Sequence, residues 1–222
     1  MEIDVAWMVD HLDELVGRTV QHIYLTAIAV IVGFVISLGL AIVAVRRRRA
    51  YGPILAFSSI LYTIPSLALF AALISITGIS LLTVEIPLVM YTLVIFVRNI
   101  TTGLDNVPAD VIEAADGLGY TSRQRLWRVE LPLAVPLIVA GVRLATVSTI
   151  GLVTVTAIMG DAFGGLGFFI LEGYRRSFLT EIIFFGAIPS ILLAVAFDVM
   201  LARLQRTATP WTRPVADVRL PA

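Results

Sequence analysis

The sequence predicts an all-α, polytopic membrane protein with five transmembrane helices. Of its 222 residues, 59% are hydrophobic and 14% are charged, and the mean hydropathy is +0.95. These values lie far outside the range of water-soluble globular proteins. Apolar runs of about 20 residues, the length that crosses a hydrocarbon layer of ~30 Å, recur along the chain. The expected crossings are residues 24–45, 53–76, 81–97, 133–159 and 182–201.

Residues 1–22 precede the first crossing and are too acidic for a secretory signal peptide. Their apolar side chains recur at helical spacing on one face. We expect an external amphipathic helix that lies along the membrane surface with Trp7 at the interface, and a partly disordered tail is the alternative. The first crossing, residues 24–45, is uncharged and ends at the run Arg46 to Arg49.

The second crossing carries Thr63, Pro65 and Ser66 near its middle. Because proline has no backbone N–H, we expect a bend at Pro65. A membrane tolerates such a bend where neighbouring helices or water satisfy the freed backbone groups. This side of the segment is therefore expected to face protein or a solute pathway.

Charged residues inside or beside the crossings are candidates for function. We expect Glu85 to be solvated at the external end of the third crossing. Arg143 and Asp198 fall inside the fourth and fifth segments, and we expect Asp198 to pair with an arginine, either Arg143 or Arg203. An ion-coupled relay would need acids near the middle of the membrane, and the sequence offers no such series.

The fourth crossing, residues 133–159, is rich in small and hydroxylated side chains, which favour close helix packing over lipid contact. We expect it to be the central helix of the bundle. Residues 160–181 are too glycine-rich and too charged to cross. The small and hydroxylated set is Gly141, Ala145, Ser148, Thr149, Gly151, Thr154, Thr156 and Ala157.

Several kinds of chemistry are excluded by composition. The chain has no cysteine, which rules out disulfides and thiolate sites, and its two histidines are too few for a zinc site without carboxylates. All 16 basic residues are arginine, so a phosphate-binding loop with its lysine cannot exist here. We expect a non-catalytic chain without a cofactor of its own.

The arginines also predict the orientation, because positive residues near membrane ends stay in the cytoplasm. Twelve of the 16 fall on one side, three on the other and one within a crossing. We expect the loop of residues 98–132 and the tail of residues 202–222 in the cytoplasm, and the N-terminus outside. No internal repeat is evident, so a solute pathway needs a second bundle, which an identical chain or a paralogue could supply.

The polar loop is predicted to contain two short helices. The first runs from about Pro108 to Asp116, and Gly117 and Gly119 can stop it without Cβ strain. Thr121 and Gln124 have the spacing of a capping box, so a second helix should begin there and end near Leu131. Ala114 and Ala115 keep one side of the first helix thin, which suits a docking edge.

The loop sequence EAADGLGYTSRQRLWRVELP resembles the EAA loop of ABC importer membrane subunits; its one departure is Val129, where isoleucine is commoner. The resemblance implies the type I ABC importer, or MetI-like, permease fold. It also implies that the first loop helix sits in a cleft of a cytoplasmic ATPase subunit, which would bind the ATP and magnesium. The residues that would couple to that subunit are Glu113, Ala114, Ala115, Asp116, Gly117 and Gly119.

The run Thr63 to Ala68 looks like the TIPSLA segment of permeases for glycine betaine, carnitine or choline. His22 with Leu38 and Gly39, and the closing stretch from Pro189 to Pro210, are similar to the same subfamily. Gly164 to Gly167 resembles its GAGGLG turn, although Gly160 to Phe163 before it departs from the usual small-residue pattern. The likeness covers about residues 20–210.

The resemblance implies an importer of quaternary ammonium osmoprotectants in a bacterial or archaeal cytoplasmic membrane. Its partners would be a second permease subunit, two ATPase subunits and an extracellular or periplasmic binding protein, in which an aromatic cage holds the solute by cation–π contacts. The alternatives are an importer of another small solute such as methionine, an ion-coupled carrier or channel, and a membrane scaffold. The candidate pathway residues are Tyr62, Thr63, Pro65 and Ser66 at the bend, with Asp161, Gly164, Gly165 and Gly167 as an external gate.

Overall fold

The structure is a computed structural model that describes residues 9–160, 162–179 and 181–210. All regular secondary structure within these ranges is helical. The helices are α1 (Leu12–Arg46), α2 (Arg48–Thr63), α3 (Ser66–Thr77), α4 (Leu81–Asp105), α5 (Ala109–Gly117), α6 (Ser122–Arg125), α7 (Leu131–Val153), α8 (Gly167–Arg176) and α9 (Ile188–Ala208).

Among the described helices, four are long and apolar enough to cross a membrane alone. A fifth crossing results if the bent pair of α2 and α3 counts as one span. Helix α8, described within residues 162–179, has ten residues, and at about 15 Å it is too short to cross.

Helix α1 differs from the expected surface helix followed by a separate crossing. It is continuous for 35 residues from Leu12 to Arg46, which corresponds to about 52 Å. No proline interrupts this stretch, and the single Gly17 is not enough to end a helix. The amphipathic segment therefore continues into the crossing, while Trp7 and the rest of residues 1–8 lie outside the described residues.

The bend expected at Pro65 is confirmed. Helices α2 and α3 meet at residues 64–65 at an angle of 90°. The break leaves carbonyl groups without helical partners: the Ile64 carbonyl accepts a hydrogen bond from the Tyr91 hydroxyl, and the Ile60 carbonyl accepts one from the Thr63 hydroxyl at 2.7 Å. A neighbouring helix thus stabilises the bend, as the membrane environment requires.

Small residues bring α1, α4 and α7 close together at the centre of the bundle. A Cβ at Gly33 of α1 would lie 1.9 Å from the Thr92 hydroxyl oxygen on α4, and one at Gly141 of α7 would lie 2.7 Å from the Asn99 Cβ. Ala145 and Thr149 of α7 are also buried. The expectation that the fourth crossing packs centrally through its small residues is confirmed for this face.

The two ends of the bundle are defined by the contacts of α1. At one end Arg46 donates to the Ser122 carbonyl oxygen at 2.6 Å, so residues 106–130 lie there, and we call this the loop end. At the other, Gln21 donates to the Ala162 carbonyl oxygen at 2.7 Å, and we call this the turn end. One apolar core lies towards each end, around Phe96 and Leu126 at the loop end and around Phe70 and Met159 at the turn end.

The second loop helix does not stop near Leu131, contrary to expectation. Helix α6 passes through a π-helical turn, Leu126–Glu130, directly into α7. The N–H of Leu131 reaches back five residues to the Leu126 carbonyl oxygen. This wider turn shifts the hydrogen-bonding register just before Pro132, so the proline enters the first turn of α7 without ending the helix.

Candidate functional site

Helix α5 forms a nine-residue projection at the loop end, within one residue of its expected bounds at either end. It begins after Pro108 and is followed by Gly119, whose φ of 78° requires the freedom of glycine. Gly117 was expected to share this role, but it lies inside the last helical turn and has no positive φ. A single glycine therefore reverses the chain after α5.

An arginine ties α5 to the start of the long α6–α7 helix. Arg125 Nη1 donates to both carboxylate oxygens of Asp116, at 2.5 and 2.7 Å, and its Nε donates to Glu130 at 2.7 Å. The Glu130 side chain is only 8% exposed, so removal of the guanidinium would leave a buried carboxylate without an ion-pair partner. Two acids on separate elements thus share one guanidinium.

Two further contacts fix the segments that flank α5. Arg48 binds the Asp105 carboxylate with both terminal nitrogens, at 2.7 and 2.8 Å, which holds the end of α4 to the start of α2. The capping box expected at Thr121 and Gln124 is confirmed, with both reciprocal hydrogen bonds present. Together with Arg46 on the Ser122 carbonyl, these contacts hold the segments on both sides of α5.

The outward edge of α5 is narrower than the sequence suggested. Ala115 is 4% exposed, so only Ala114 of the two alanines faces outward. Glu113 and Gly117 are also exposed, whereas Asp116 is engaged by Arg125. Leu118 is 77% exposed and was not singled out from the sequence, where an apolar residue between two glycines gives no signal of its own.

A pair of side chains on α1 holds the glycine-rich turn at the turn end. The Gln21 amide donates to the Ala162 carbonyl and accepts from the Gly165 N–H at 2.8 Å. His22 is fully buried; its Nδ1 accepts from the Leu166 N–H at 3.2 Å, so its Nε2 carries the proton and donates to the Ile150 carbonyl oxygen at 2.9 Å. These contacts join α1, α7 and the turn. The role of Gln21 was missed because an amide gives no motif.

The glycines of this turn allow close packing. A Cβ at Gly165, where φ is 48°, would lie 2.9 Å from His22 Nδ1. One at Gly167 would lie 2.0 Å from the Thr154 carbonyl oxygen, and one at Gly164 would lie 3.1 Å from the Phe168 Cβ. Asp161, expected to act with them as a gate, lies outside the described residues.

One face of α7 and its 3₁₀ extension, Thr154–Met159, is left open along most of its length. Its exposed residues are spaced by three, four and seven positions, so they form a single stripe. They are Leu144, Val147, Gly151 and Ile158. The small residues expected to pack centrally therefore do not all do so. Gly141 packs against α4, whereas a Cβ built on Gly151 would have no other atom within 4 Å.

Four cavities follow this stripe, and each shares a lining residue with the next. The first cavity, nearest the loop end, has a volume of about 460 Å³ and is lined by Arg143 and Asp198. The second, of about 320 Å³, is lined by Arg98, and Leu144 lines both cavities. The second meets a cavity of about 330 Å³ at Tyr62 and Thr63. The third meets one of about 510 Å³ at Ser66, and this last cavity reaches Gly167 at the turn end. We call the four together the groove.

Most of the expected pathway residues meet in the groove. Tyr62, Thr63, Pro65 and Ser66 all line its 330 Å³ cavity, together with Ser148 of α7. Tyr91 also lines this cavity and lies edge-on to Tyr62 with ring centroids 5.8 Å apart. Gly167 joins the adjoining cavity, whereas Gly164 and Gly165 pack against Ala157 and His22 instead.

Arg143 and Asp198 line the groove, whereas Glu85 lies elsewhere in the bundle. Arg143 binds both oxygens of Asp198 at 2.9 Å, which confirms one of the two expected pairings. Glu85, expected to be solvated, is instead 7% exposed, and neither carboxylate oxygen has a hydrogen-bond partner. It lies on the opposite side of α4, beside an apolar cavity of about 600 Å³ that α1 and α2 also line. Helix packing buries it, which its position near a segment end did not reveal.

The described residues contain no group of three histidine or acidic side chains that could hold a metal ion. The arrangement consists of a mounted helix at one end, a clamped turn at the other and a groove between them.

The sequence matches a known protein family and is similar to characterised members of it. Residues 21–210 match the family described as binding-protein-dependent transport system inner membrane component. The osmoprotectant import permease protein OsmW of Salmonella typhimurium is 37% identical over 211 residues, which cover 93% of this chain and 97% of that protein. The glycine betaine/carnitine/choline transport system permease protein OpuCB of Bacillus subtilis is 34% identical over 197 residues, 89% of each chain.

Solved structures resemble the fold at lower identity. The MetNI methionine ABC transporter, in an inward-facing conformation, aligns with a TM-score of 0.76 and 22% identity over 94% of this chain and all of that chain. A chain of an amino acid ABC transporter aligns with a TM-score of 0.72 and 18% identity, over 93% of this chain and all of that chain. At these identities the likeness concerns the fold alone.

Proposed function

This chain belongs to the binding-protein-dependent transport system inner membrane components, as a non-catalytic, multi-pass permease subunit of an ABC importer, and we propose that it carries quaternary ammonium osmoprotectants. Glycine betaine, carnitine and choline are the expected solutes. The observation that carries this proposal is the similarity to osmoprotectant permeases, at 34 and 37% identity over about nine-tenths of the chain. The methionine transporter shares only the fold, so methionine is the weaker candidate.

We propose that α5 is the coupling helix that seats in a cleft of a partner ATPase. Its exposed edge of Glu113, Ala114 and Gly117 offers a thin surface for that contact, and Leu118 adds an apolar anchor. Asp116 and Gly119 serve the mounting of the helix, and Ala115 serves its packing. ATP and magnesium would be bound by the ATPase and not by this chain.

The mounting of α5 suggests how movement would reach the bundle. Arg125 connects α5 to the helix that continues into α7, and Arg48 connects the end of α4 to α2. Helix α5 also follows α4 directly in the chain, so a displacement of α5 would act on α4 through the chain and on α7 through Arg125. These two helices form walls of the groove.

The groove is proposed as one half of the solute pathway, completed by a second permease subunit that is either identical or a paralogue. It runs between both ends of the bundle, yet it stays open along the stripe on α7. A facing copy across a twofold axis would close it. The turn held by Gln21 and His22 then stands at its outer end as the gate.

The orientation follows from the same scheme. With α5 on the ATPase side, the loop end and the C-terminus are cytoplasmic and the N-terminus is outside. The arginines at positions 46–49 lie at the loop end, in agreement with the preference of positive charge for the cytoplasm. The turn end would receive solute from an external binding protein.

The proposed mechanism is alternating access. ATP binding closes two ATPase subunits, the coupling helices move with them, and the paired bundles open outward; hydrolysis returns them to the inward-facing state. The chain forms no covalent bond with the solute. Its task is to convert a few kcal/mol of differential binding into a shift between two conformations.

Reconstitution of the complete importer tests the proposal. Vesicles that contain this chain, its ATPase and its binding protein should take up glycine betaine in an ATP-dependent manner, and methionine should not stimulate the ATPase. Stimulation by methionine with indifference to glycine betaine, carnitine and choline would refute the proposed solute. Vesicles with this chain alone should be inactive, and uptake driven there by an ion gradient without nucleotide would support a carrier instead.

A further inference from the structure

The charges that line the groove do not cancel. Arg143 and Asp198 neutralise each other through their two-pronged contact. Arg98 is exposed at the wall of the adjoining cavity, and it has no hydrogen-bond or ion-pair partner among residues 9–160, 162–179 and 181–210. The lining residues described for the groove therefore carry one net positive charge, and that charge is the guanidinium of Arg98.

The sequence placed Arg98 at the start of the polar loop, but helix α4 continues to Asp105, so Arg98 lies within the helix, short of the loop end. Its neighbour Asn99 packs against Gly141 in the middle of α7. The ion pair of Asp105 with Arg48 marks the loop end, seven residues further along α4, which corresponds to about 10 Å. A solute that moves through the groove must therefore pass Arg98 before it leaves.

The adjoining cavity, in contrast, is neutral and aromatic. It is lined by Tyr62 and Tyr91 and by the hydroxyl groups of Ser66 and Ser148. Tyr62 also borders the cavity of Arg98. Aromatic faces attract a quaternary ammonium group, which has no N–H to donate, while the planar guanidinium suits a carboxylate.

We propose that Arg98 makes the groove selective for quaternary ammonium solutes that also carry a carboxylate, such as glycine betaine and carnitine, over the net cation choline. The carboxylate binds Arg98 while the ammonium group lies against Tyr62. Choline can also lie against Tyr62, but it lacks the carboxylate, so nothing offsets the repulsion between its ammonium group and the guanidinium of Arg98. This inference rests on the proposed function and adds a specificity-determining residue to it.

Binding to the membrane complex itself tests the inference. The permease–ATPase complex is purified without the binding protein, so that the selectivity of that protein plays no part. Saturation-transfer NMR on the methyl protons of glycine betaine and of choline gives the ratio of their affinities. The variants are Arg98→Gln, which removes the charge, Arg98→Lys, which keeps it, and the control Arg49→Gln, which removes an exposed charge outside the groove lining.

The native complex should bind glycine betaine more tightly than choline. Arg98→Gln should lower the affinity ratio of glycine betaine to choline by at least about tenfold, roughly the net effect of losing one hydrogen-bonded contact between charged groups. Arg49→Gln should leave the ratio within about twofold of the native value. Arg98→Lys keeps the charge but loses the planar fork of N–H groups, so its ratio should lie between those of the native complex and Arg98→Gln.

Equal binding of the two solutes by the native complex, an unchanged ratio in Arg98→Gln, or no detectable binding of either solute would overturn the inference. The proposed function is scored separately by ATP-driven uptake through the complete importer. Uptake of glycine betaine, together with an unchanged affinity ratio in Arg98→Gln, would refute only the role of Arg98. Uptake of neither osmoprotectant would remove the proposed solute class itself.

Discussion

At the scale of single residues, Arg125 is the contact on which the mounting of α5 depends most. It satisfies Glu130, whose side chain is 8% exposed, and Asp116, whose side chain is 50% exposed. An exposed pair contributes little to stability, whereas a buried carboxylate that loses its partner is costly. The contact of Arg125 with Glu130 therefore matters more for stability, and its contact with Asp116 matters more for the position of α5.

We expect Arg125→Met to destabilise the complex and to uncouple it. Loss of the guanidinium should lower the free energy of unfolding by about 2 kcal/mol, discounted for partial solvation, because Glu130 is left unpaired. Uptake should fall more than ATPase activity, since α5 is no longer held to the α6–α7 helix. Differential scanning fluorimetry and paired uptake and ATPase assays on the reconstituted complex measure both effects.

Two matched variants make this expectation specific. Adding Glu130→Gln to Arg125→Met should restore part of the lost stability, because no charge then remains buried. Arg123→Met changes an exposed arginine of the same helix and should alter neither property. Equal effects of Arg123→Met and Arg125→Met would contradict the role assigned to the shared guanidinium.

Much of the loop was predictable at this scale, because its signals are local. The capping box of Thr121 and Gln124 and the stop at Gly119 depend on backbone chemistry within a few residues. The inward packing of Ala115 was not predictable, since partners outside α5 decide which face of a nine-residue helix turns inward. Glu85 was misplaced for the same reason: the neighbours that bury it lie on other helices.

At the scale of elements, the break between α2 and α3 shapes the middle of the groove. The sequence located it at Pro65 because proline cannot continue the hydrogen-bond ladder. It did not reveal that Tyr91 of α4 holds the break through the Ile64 carbonyl. It also did not reveal the π-helical turn at Leu126–Glu130, since no residue type marks a shift of hydrogen-bonding register.

Tyr91→Phe should loosen this break while keeping the aromatic ring. We expect the loss of one hydrogen bond to a partly buried carbonyl to cost about 1 kcal/mol of stability. Tyr62→Phe is the matched control, because the Tyr62 ring lies beside Tyr91 and no hydrogen bond to its hydroxyl is found among the described residues. Thermal unfolding of the two variants compares them directly, and a larger loss in Tyr62→Phe would show that the Tyr91 hydroxyl does not hold the break.

At the scale of the whole molecule, the groove depends on side chains that are far apart in sequence. The residues around Pro65 were identified from their local chemistry, but their connection to Arg98, Leu144 and Gly167 appears only when the helices are packed. The open stripe on α7 has the apolar composition of a lipid-facing surface. Sequence alone therefore could not distinguish a pathway wall from a surface in contact with lipid.

Accessibility to water distinguishes the two. The chain has no cysteine, so each introduced thiol reports on one position. In the assembled importer, Leu144→Cys and Ile158→Cys on the stripe should react with a membrane-impermeant maleimide, each in the conformation that opens its end of the groove. Val35→Cys, at a 64% exposed position on α1, should stay unreactive within the lipid. Reaction at Val35→Cys but at neither stripe position would place the pathway elsewhere.

The central claim is that a partner ATPase drives this permease through the exposed edge of α5. Its most direct test attaches a thiol-reactive benzophenone to Ala114→Cys in the assembled importer, with the buried Ala115→Cys as the comparison. On illumination, Ala114→Cys should form an adduct with the nucleotide-hydrolysing subunit, in a yield that changes when ATP is added, and Ala115→Cys should form far less. An adduct from Ala114→Cys that never includes that subunit would contradict the account.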